Sequence, residues 1–310
     1  MGVARRRNSA NTMTTIAIFG VGLIGGSFAL AQRRADERVT IIGYGRTPAV
    51  MQRALQIGLI DRIADTVAQA VHTADLILLA APVAQTEAIL RTISPHLEAG
   101  TVITDAGSTK SDVVAAARAA LGDKVGQFVP GHPIAGRETN GPDAAIVDLF
   151  AGKKVVLTPL AENSPADIER VADAWLRCGA LIHRLDCAEH DRVFAAVSHL
   201  PHLLSYALVD DIAGKPHADL LFHYAASGFR DFTRIAGSSP EMWRDIALAN
   251  QTALLGELDD YLAKLQGLRQ MLVERNGAAL ESVFSNAQRA RQGWIGAIEH
   301  AEQAALPGGD

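Results

Sequence analysis

The strongest constraint on the fold is a recurrence of short apolar runs through the first 186 residues. ALIHRLD (180–186) reads as a last strand, and TIAIFG (15–20), VTIIGYG (39–45), DLILLAAP (75–82), TVITDAG (101–107), QFVPGH (127–132) and KKVVLTP (153–159) are β-branched, apolar and bounded by Gly, Pro or Asp. Such runs read as strands buried on both sides. Helical stretches separate most of them, and that alternation predicts an α/β domain with a mainly parallel, doubly wound sheet. From Ala188 onward the texture changes. Residues 188–213 and 239–274 carry apolar residues at three- and four-residue spacing with charges between them, which predicts helices. Ser239 is placed to cap the second of these, with Pro240 at its first position. This long helix has more apolar surface than one small domain covers, which predicts a partner copy.

Composition removes several function classes. The chain has 310 residues, 48% of them hydrophobic, with a net charge of −5. That suits two domains and argues against a nucleic-acid-binding surface. The basic cluster Arg5-Arg6-Arg7 sits in a polar tail with no apolar segment behind it, so residues 1–13 read as a disordered extension rather than a signal peptide. No apolar stretch approaches the ~20 residues that span a bilayer, so no membrane is expected. Cys178 and Cys187 are the two cysteines, without metal-ligand spacing, and read as reduced thiols in a cytoplasmic protein. No metal site is expected.

Between the first strand and the first helix, GVGLIGGS places Gly20, Gly22 and Gly25 in G-x-G-x-x-G spacing, with Leu23 and Ile24 inside the motif. The first glycine allows a tight turn, the second lets backbone approach a pyrophosphate, and the third lets helix and strand pack closely. A dinucleotide would then sit on the helix N-terminus. At the end of the second strand, where an NAD site usually has an acid, this chain has Gly45 followed by Arg46 and Thr47. With no carboxylate to repel a 2′-phosphate and Arg46 to attract one, an NAD(P) site with NADP weakly favoured over NAD is expected.

The segment FVPGHPIAGRETNGP (128–142) follows a late strand, on the side where ligands bind in such sheets. Pro133 holds His132 out of the helical region, and a stiff loop presenting one imidazole suits a general base. With GVGLIGGS, TDAGSTK (104–110), GHPIAGRETNGP (131–142), DRVFAAVSHLPHLLSYAL (191–208) and GFRDFTRIAGSSPEMWRDIALAN (228–250), the chain resembles the prephenate/arogenate (cyclohexadienyl) dehydrogenase family of tyrosine biosynthesis. The resemblance runs from about residue 14 over nearly the whole chain. It implies a Rossmann dinucleotide-binding domain (14–186) and a helical dimerisation and substrate domain (187–310), in a homodimer. It implies oxidative decarboxylation of prephenate, of arogenate, or of both, with hydride passing to NAD(P)+. His132 would promote deprotonation of the substrate hydroxyl, with Ser108 beside it. Arg234 would bind a substrate carboxylate, His202 would lie on the substrate side with His199 as a rival, and Glu138 and Asp231 would order the site.

Each residue also has a plain structural reading. Ser108 could cap the helix that begins in STKSD, Arg230 or Arg234 could pair with Asp231, Trp243 suits packing, and histidines on an apolar helix are usually core groups. No regulatory module is expected after Gln303 and no mutase segment before Met13. Two other functions remain open. A β-hydroxyacid-type dehydrogenase would need a catalytic lysine among the helices, where the sequence has Lys215 and Lys264. A non-enzymatic NADP(H) sensor would use the glycine turn but leaves His132, Ser108 and Arg234 unexplained.

Overall fold

The structure is a computed structural model that describes residues 15–137 and 139–305, and side chains up to residue 297. The expectations for the N-terminal tail and for Glu138 lie outside the described residues. The first unit contains a six-stranded parallel sheet of β1 (Thr15–Phe19), β2 (Thr40–Tyr44), β3 (Arg62–Ile63), β4 (Leu76–Leu79), β5 (Val102–Asp105) and β6 (Phe128–Val129), in the order 3-2-1-4-5-6. Successive residues along the strands face opposite sides. Ile16, Ile18, Leu76 and Leu78 enter one core with Phe28 and Trp175, from helices Leu23–Ala35 and Pro165–Arg177. Ala17, Phe19, Ile77 and Leu79 enter another with Leu90, Val113 and Ala117, from helices Thr86–Ile93 and Ser111–Leu121. Both faces are therefore covered, which is why the strands read as continuous apolar runs instead of alternating ones. The strand order reverses at β1, where β2 lies on one side and β4 on the other. That reversal opens a crevice at the carboxyl ends of β1 and β4.

Three details differ from the sequence reading. β3, two residues long, carries no pattern a sequence can show. The run QFVPGH is not one strand: it splits at Pro130 into β6 and β7 (Gly131–Pro133), and the two belong to different sheets. Proline has no N–H to continue a ladder. β7 instead pairs antiparallel with β8 (Lys154–Leu157), which pairs parallel with β9 (Leu181–Arg184). The predicted long helix from Pro240 is broken. Ser239 caps its first part by accepting from the Met242 amide at 3.4 Å. That part ends at Ala249, and Asn250 (φ −104°, ψ 31°) separates it from the helix Gln251–Val273.

Among the described residues every element after β9 is helical. The first run, Cys187–Ala213, contains one π-type turn at Ala195–His199. Pro201 lies just beyond it and cannot donate to the carbonyl four residues back, so a widened turn absorbs the missing bond. This run is 27 residues long with mean hydropathy 1.2, which meets the length and composition for a membrane span and qualifies the expectation above. Its His190, Asp191 and His199 are buried in polar contacts with the rest of the unit, which packs this stretch of the run against the unit.

The described residues through Leu254 form one compact unit and those from Leu255 a second. The second contains most of the helix Gln251–Val273 and the helix Gly277–Ala305. Leu262, Leu265, Leu272, Val273, Phe284 and Trp294 are exposed on it, a density of uncovered apolar side chains that marks an association surface.

Candidate active site

The glycine turn lies at the carboxyl end of β1, beside the crevice. Gly20 has φ +98°, and a Cβ built there would stand 2.6 Å from the Ala80 carbonyl oxygen. A Cβ on Gly25 would lie 2.2 Å from the Gly20 carbonyl oxygen and 2.8 Å from Ile18 Cγ2. No other residue fits there without moving the helix off the strand. At Gly22 a Cβ would meet nothing within 4 Å. The helix Leu23–Ala35 begins with no side-chain cap and no acidic residue in its first turn. Its first amides are left for an anion. Leu23 is buried in the core and Ile24 packs against it, so at the turn these two leave their backbone, not their side chains, open. The turn fits a pyrophosphate. Arg46 and Thr47 are exposed just past β2.

His132 is the middle residue of β7, opposite Val156. Its strand is anchored to the first sheet through Asp105. Asp105 accepts from the Gly131 amide at 3.0 Å and from Lys110 Nζ at 2.5 Å, and Lys110 also donates to the Gly131 carbonyl at 2.8 Å. Lys110 is fully buried. A buried charge of this kind is tolerated because an opposite charge and a carbonyl accept from it. The His132 ring is buried, with Nδ1 at 2.8 Å from His190 Nε2 and Phe194 edge-on at 4.8 Å between ring centroids. Burial first, then the neighbouring His190, Lys110 and His199, hold its pKa well below the usual histidine value. The ring is therefore neutral and free to accept a proton at physiological pH.

His190 and Asp191 join this region through hydrogen bonds, and the sequence reading gave neither a role. Asp191 accepts from the Lys110 and Ser111 amides, each at 2.8 Å, and so caps the helix Ser111–Leu121 from 80 residues away. Ser108 does not cap that helix; its half-buried turn is left for another partner. Burial alone would raise the Asp191 carboxyl, but hydrogen bonds from His190, Ser111 and Lys110 bring it down to about 2. Asn250, at the break between the two later helices, donates to the Asp191 carbonyl at 2.7 Å and lies 3.1 Å from His199 Nδ1. An EHD triplet at a predicted helix start was the available signal, but nothing in it named its distant partners.

The structure brings Ser108, His132, His199 and His202 into one connected region. The Ser108 backbone lies beside His199, whose pKa falls to about 4, chiefly through burial. Among the described residues His199 Nε2 is buried without a hydrogen-bond partner. His202 donates from Nδ1 to the Ser198 carbonyl at 2.9 Å and stacks on Trp243 at 3.5 Å and 18°. Trp243 thus packs, as expected, but against a site histidine. Arg234 is exposed at the start of a 3-10 turn (Arg234–Gly237) that follows the helix Ser227–Thr233, which carries the exposed Asp231 and Arg230. Ser205 donates to the Phe232 carbonyl at 3.3 Å and Tyr206 to the Ser238 carbonyl at 2.7 Å. These bonds tie the arginine segment to the helix that carries His202. Lys215 is ion-paired with Asp211, and Lys264 is exposed on the second unit. Among the described residues no group of three or more His, Cys, Asp or Glu side chains could hold a metal ion.

The buried histidines make stability depend on pH. His132, His190 and His199 all titrate below 6.5 in the folded protein. The unfolded chain takes up protons first as pH falls through 6.5, so their contribution is present above that pH and lost below it. For His199 alone, with a folded value of about 4, the loss at about pH 5 is about 2 kcal/mol. The melting temperature is therefore expected to fall between pH 7 and pH 5. Thermal scans in buffers of matched ionic strength would check it, and an unchanged Tm would contradict these buried neutral rings.

Residues 28–184 match the family model for the nucleotide-binding domain of prephenate dehydrogenase, and residues 186–286 match the model for its dimerization domain. The chain is 38% identical over 278 residues to a cyclohexadienyl dehydrogenase of Zymomonas mobilis, covering 89% of this chain and 94% of that one. It is 35% identical over 284 residues to a prephenate dehydrogenase of Bacillus subtilis, covering 90% of this chain and 76% of that one. Among solved structures it superposes with a TM-score of 0.85, at 34% identity, on prephenate dehydrogenase from Aquifex aeolicus in complex with hydroxyphenyl propionate and NAD+, covering 91% of this chain and 98% of that one. Matched in both parts, the chain belongs to the prephenate dehydrogenase family.

Proposed function

We propose that the protein oxidatively decarboxylates prephenate to 4-hydroxyphenylpyruvate, arogenate to tyrosine, or both, with NAD(P)+ as hydride acceptor, in tyrosine biosynthesis. The observation that carries this reading is a buried, neutral His132, fixed on a strand two residues beyond the end of the nucleotide-binding sheet. Bound NAD(P)+ supplies the acceptor for the hydride. The turn Gly20–Gly25 and the helix start behind it would hold its pyrophosphate. His132 takes the hydroxyl proton as the carbon bearing it is oxidised, and loss of the carboxylate as carbon dioxide leaves an aromatic ring. Ser108 hydrogen-bonds near the same hydroxyl, and His202 lines the substrate side. Glu138 and Asp231 are assigned to ordering the site. The experiment is turnover: purified protein with prephenate or arogenate and either cofactor, followed by reduced nicotinamide and released carbon dioxide. No turnover in any combination would sink the proposal.

Arg234 is assigned the substrate carboxylate, since a guanidinium offers two parallel donors to a planar anion. Arg234→Ala is expected to raise KM for substrate by about 10–100-fold, the loss of a charged hydrogen-bonded contact, while cofactor affinity stays near wild type. Weakened cofactor binding with substrate KM unchanged would remove Arg234 from this role.

For the cofactor we favour NADP. A side chain at Gly45 would put its Cβ 2.6 Å from Met51 Sδ. The acid common in NAD sites would therefore require Met51 to move. Arg46→Ala is expected to lower kcat/KM for NADP+ by about tenfold, as two surface charges at contact are worth a few kcal/mol at most, and to change NAD+ little. Equal effects on both cofactors would show that Arg46 does not read the 2′ position.

The domains are assigned as 14–186 for the dinucleotide and 187–310 for substrate and dimerisation, supported by the family models that meet between 184 and 186. The exposed apolar side chains beyond Leu255 and the dimerization domain match support a homodimer. Free Cys178 and Cys187 support a place in the cytoplasm.

A further inference from the structure

We propose that His190 and Asp191 are positioning residues that fix the tautomer of His132, so that Nδ1 carries the proton and Nε2 is left bare as the base. The inference rests on the reading of His132 as the base and deepens it.

The argument is a count of protons along a chain of contacts. Asp191 Oδ1 lies 2.9 Å from His190 Nδ1. Its carboxylate is already held as an acceptor by the Lys110 and Ser111 amides. Being ionised, it can only accept, so His190 Nδ1 must carry a hydrogen. A neutral His190 then has a bare Nε2. The 2.8 Å contact between that nitrogen and His132 Nδ1 needs one hydrogen, and only His132 can supply it. His132 Nε2 is what remains. Among the described residues Nε2 has no hydrogen-bond partner, and it is not one of the sealed, unsatisfied buried atoms.

Packing keeps the chain in this order. Phe194 contacts both rings, at 4.8 Å from His132 and 4.5 Å from His190, and the two imidazoles meet at 62° with centroids 5.0 Å apart. A flip of His190 would put a carbon against the carboxylate. The β7–β8 register holds the His132 backbone. The charged or titratable groups facing the pair are Lys110, neutralised by Asp105, together with His199 and Asp191. When Nε2 takes the hydroxyl proton, the new imidazolium keeps donating from Nδ1 to His190, with the Asp191 carboxylate behind it as counter-charge. No proton has to leave His190, and no further reactant is needed.

The arrangement has a direct test in the full-length wild-type protein labelled with 15N-histidine. Long-range proton–nitrogen correlations report which ring nitrogen is protonated, and His132→Asn and His190→Gln assign the signals. Both rings are expected as the Nδ1–H tautomer at pH 7.5. A His132 that is Nε2–H, or averages between tautomers, overturns the proposal without needing any variant to be active. Kinetics give a second readout. His190→Leu is expected to lower kcat about 10–100-fold, as loss of a supporting hydrogen bond does, with little change in substrate KM. The acid limb of kcat/KM should move, because Nδ1 of the base has lost its partner. His190→Gln, whose amide oxygen can accept from His132 Nδ1, should recover most of the loss. An acid limb left in place, with no recovery in His190→Gln, would reduce His190 to packing. If His132→Asn itself keeps wild-type kcat, the base reading fails and the inference goes with it. If that variant is inactive while the tautomer is wrong, only the relay fails.

Discussion

His132→Asn is expected to lower kcat by about 10²–10⁴-fold, the usual cost of losing a general base, with a much smaller change in KM. Asparagine can still place an amide N–H near His190 Nε2, so the bond that now spans 2.8 Å has a replacement and the buried network stays satisfied. It has no nitrogen that accepts a proton at neutral pH. The loss should therefore fall on the chemical step rather than on binding. The wild-type profile should agree. Because the folded pKa of His132 lies well below 6.5, kcat/KM should be flat through pH 7 and fall only in acid, where the ring protonates. Steady-state kinetics of wild type and variant from pH 5 to 9 would check both points. Wild-type kcat in the variant would take His132 out of the mechanism.

Gly25→Ala is the second large effect. A single methyl there would sit 2.2 Å from the Gly20 carbonyl oxygen and 2.8 Å from Ile18 Cγ2. The first atom is backbone, with no rotamer to yield, so the helix Leu23–Ala35 must back away from β1. Overpacking of this kind costs about 1–3 kcal/mol, and here it also moves the amides that face the anion. A lower Tm is expected together with at least about a tenfold loss of dinucleotide affinity, a loss equivalent to 1.4 kcal/mol. Calorimetric titration with NAD+ and NADP+ would measure it. Gly22→Ala serves as the contrast, since its Cβ would enter open space. It should keep the Tm and lose only affinity. Intact affinity in Gly25→Ala would mean that this turn does not hold the cofactor.

What could be read in advance depended on whether the relevant physics was local. The glycine turn and the doubly covered strands are local, and the structure has them where periodicity and spacing put them. Pro130 was in view, but its meaning was not. A missing N–H marks the end of a ladder, and only the finished sheets reveal that a second one begins at the next residue. Asn250 was also visible, as a weak helix former inside a long apolar pattern. The pattern outweighed it in the reading, whereas in the structure its side chain is committed to Asp191 and His199. His190 and Asp191 depend on residues 58 to 81 positions away, and single-sequence reasoning has no access to such pairings. Ser108 is the converse. It had the local chemistry of a cap, and a remote carboxylate took the position.

The remote cap has a consequence for how the protein comes apart. The carboxylate that closes the helix Ser111–Leu121 belongs to the run that carries His199 and His202. If that run lifts away, the helix loses its end at the same moment, and His132 loses its neighbour. Local opening and loss of chemistry then become one event, with no partly opened form that still turns over. The Lys110 and Ser111 amides would report it, because their exchange with deuterium should proceed at the rate at which the whole region opens.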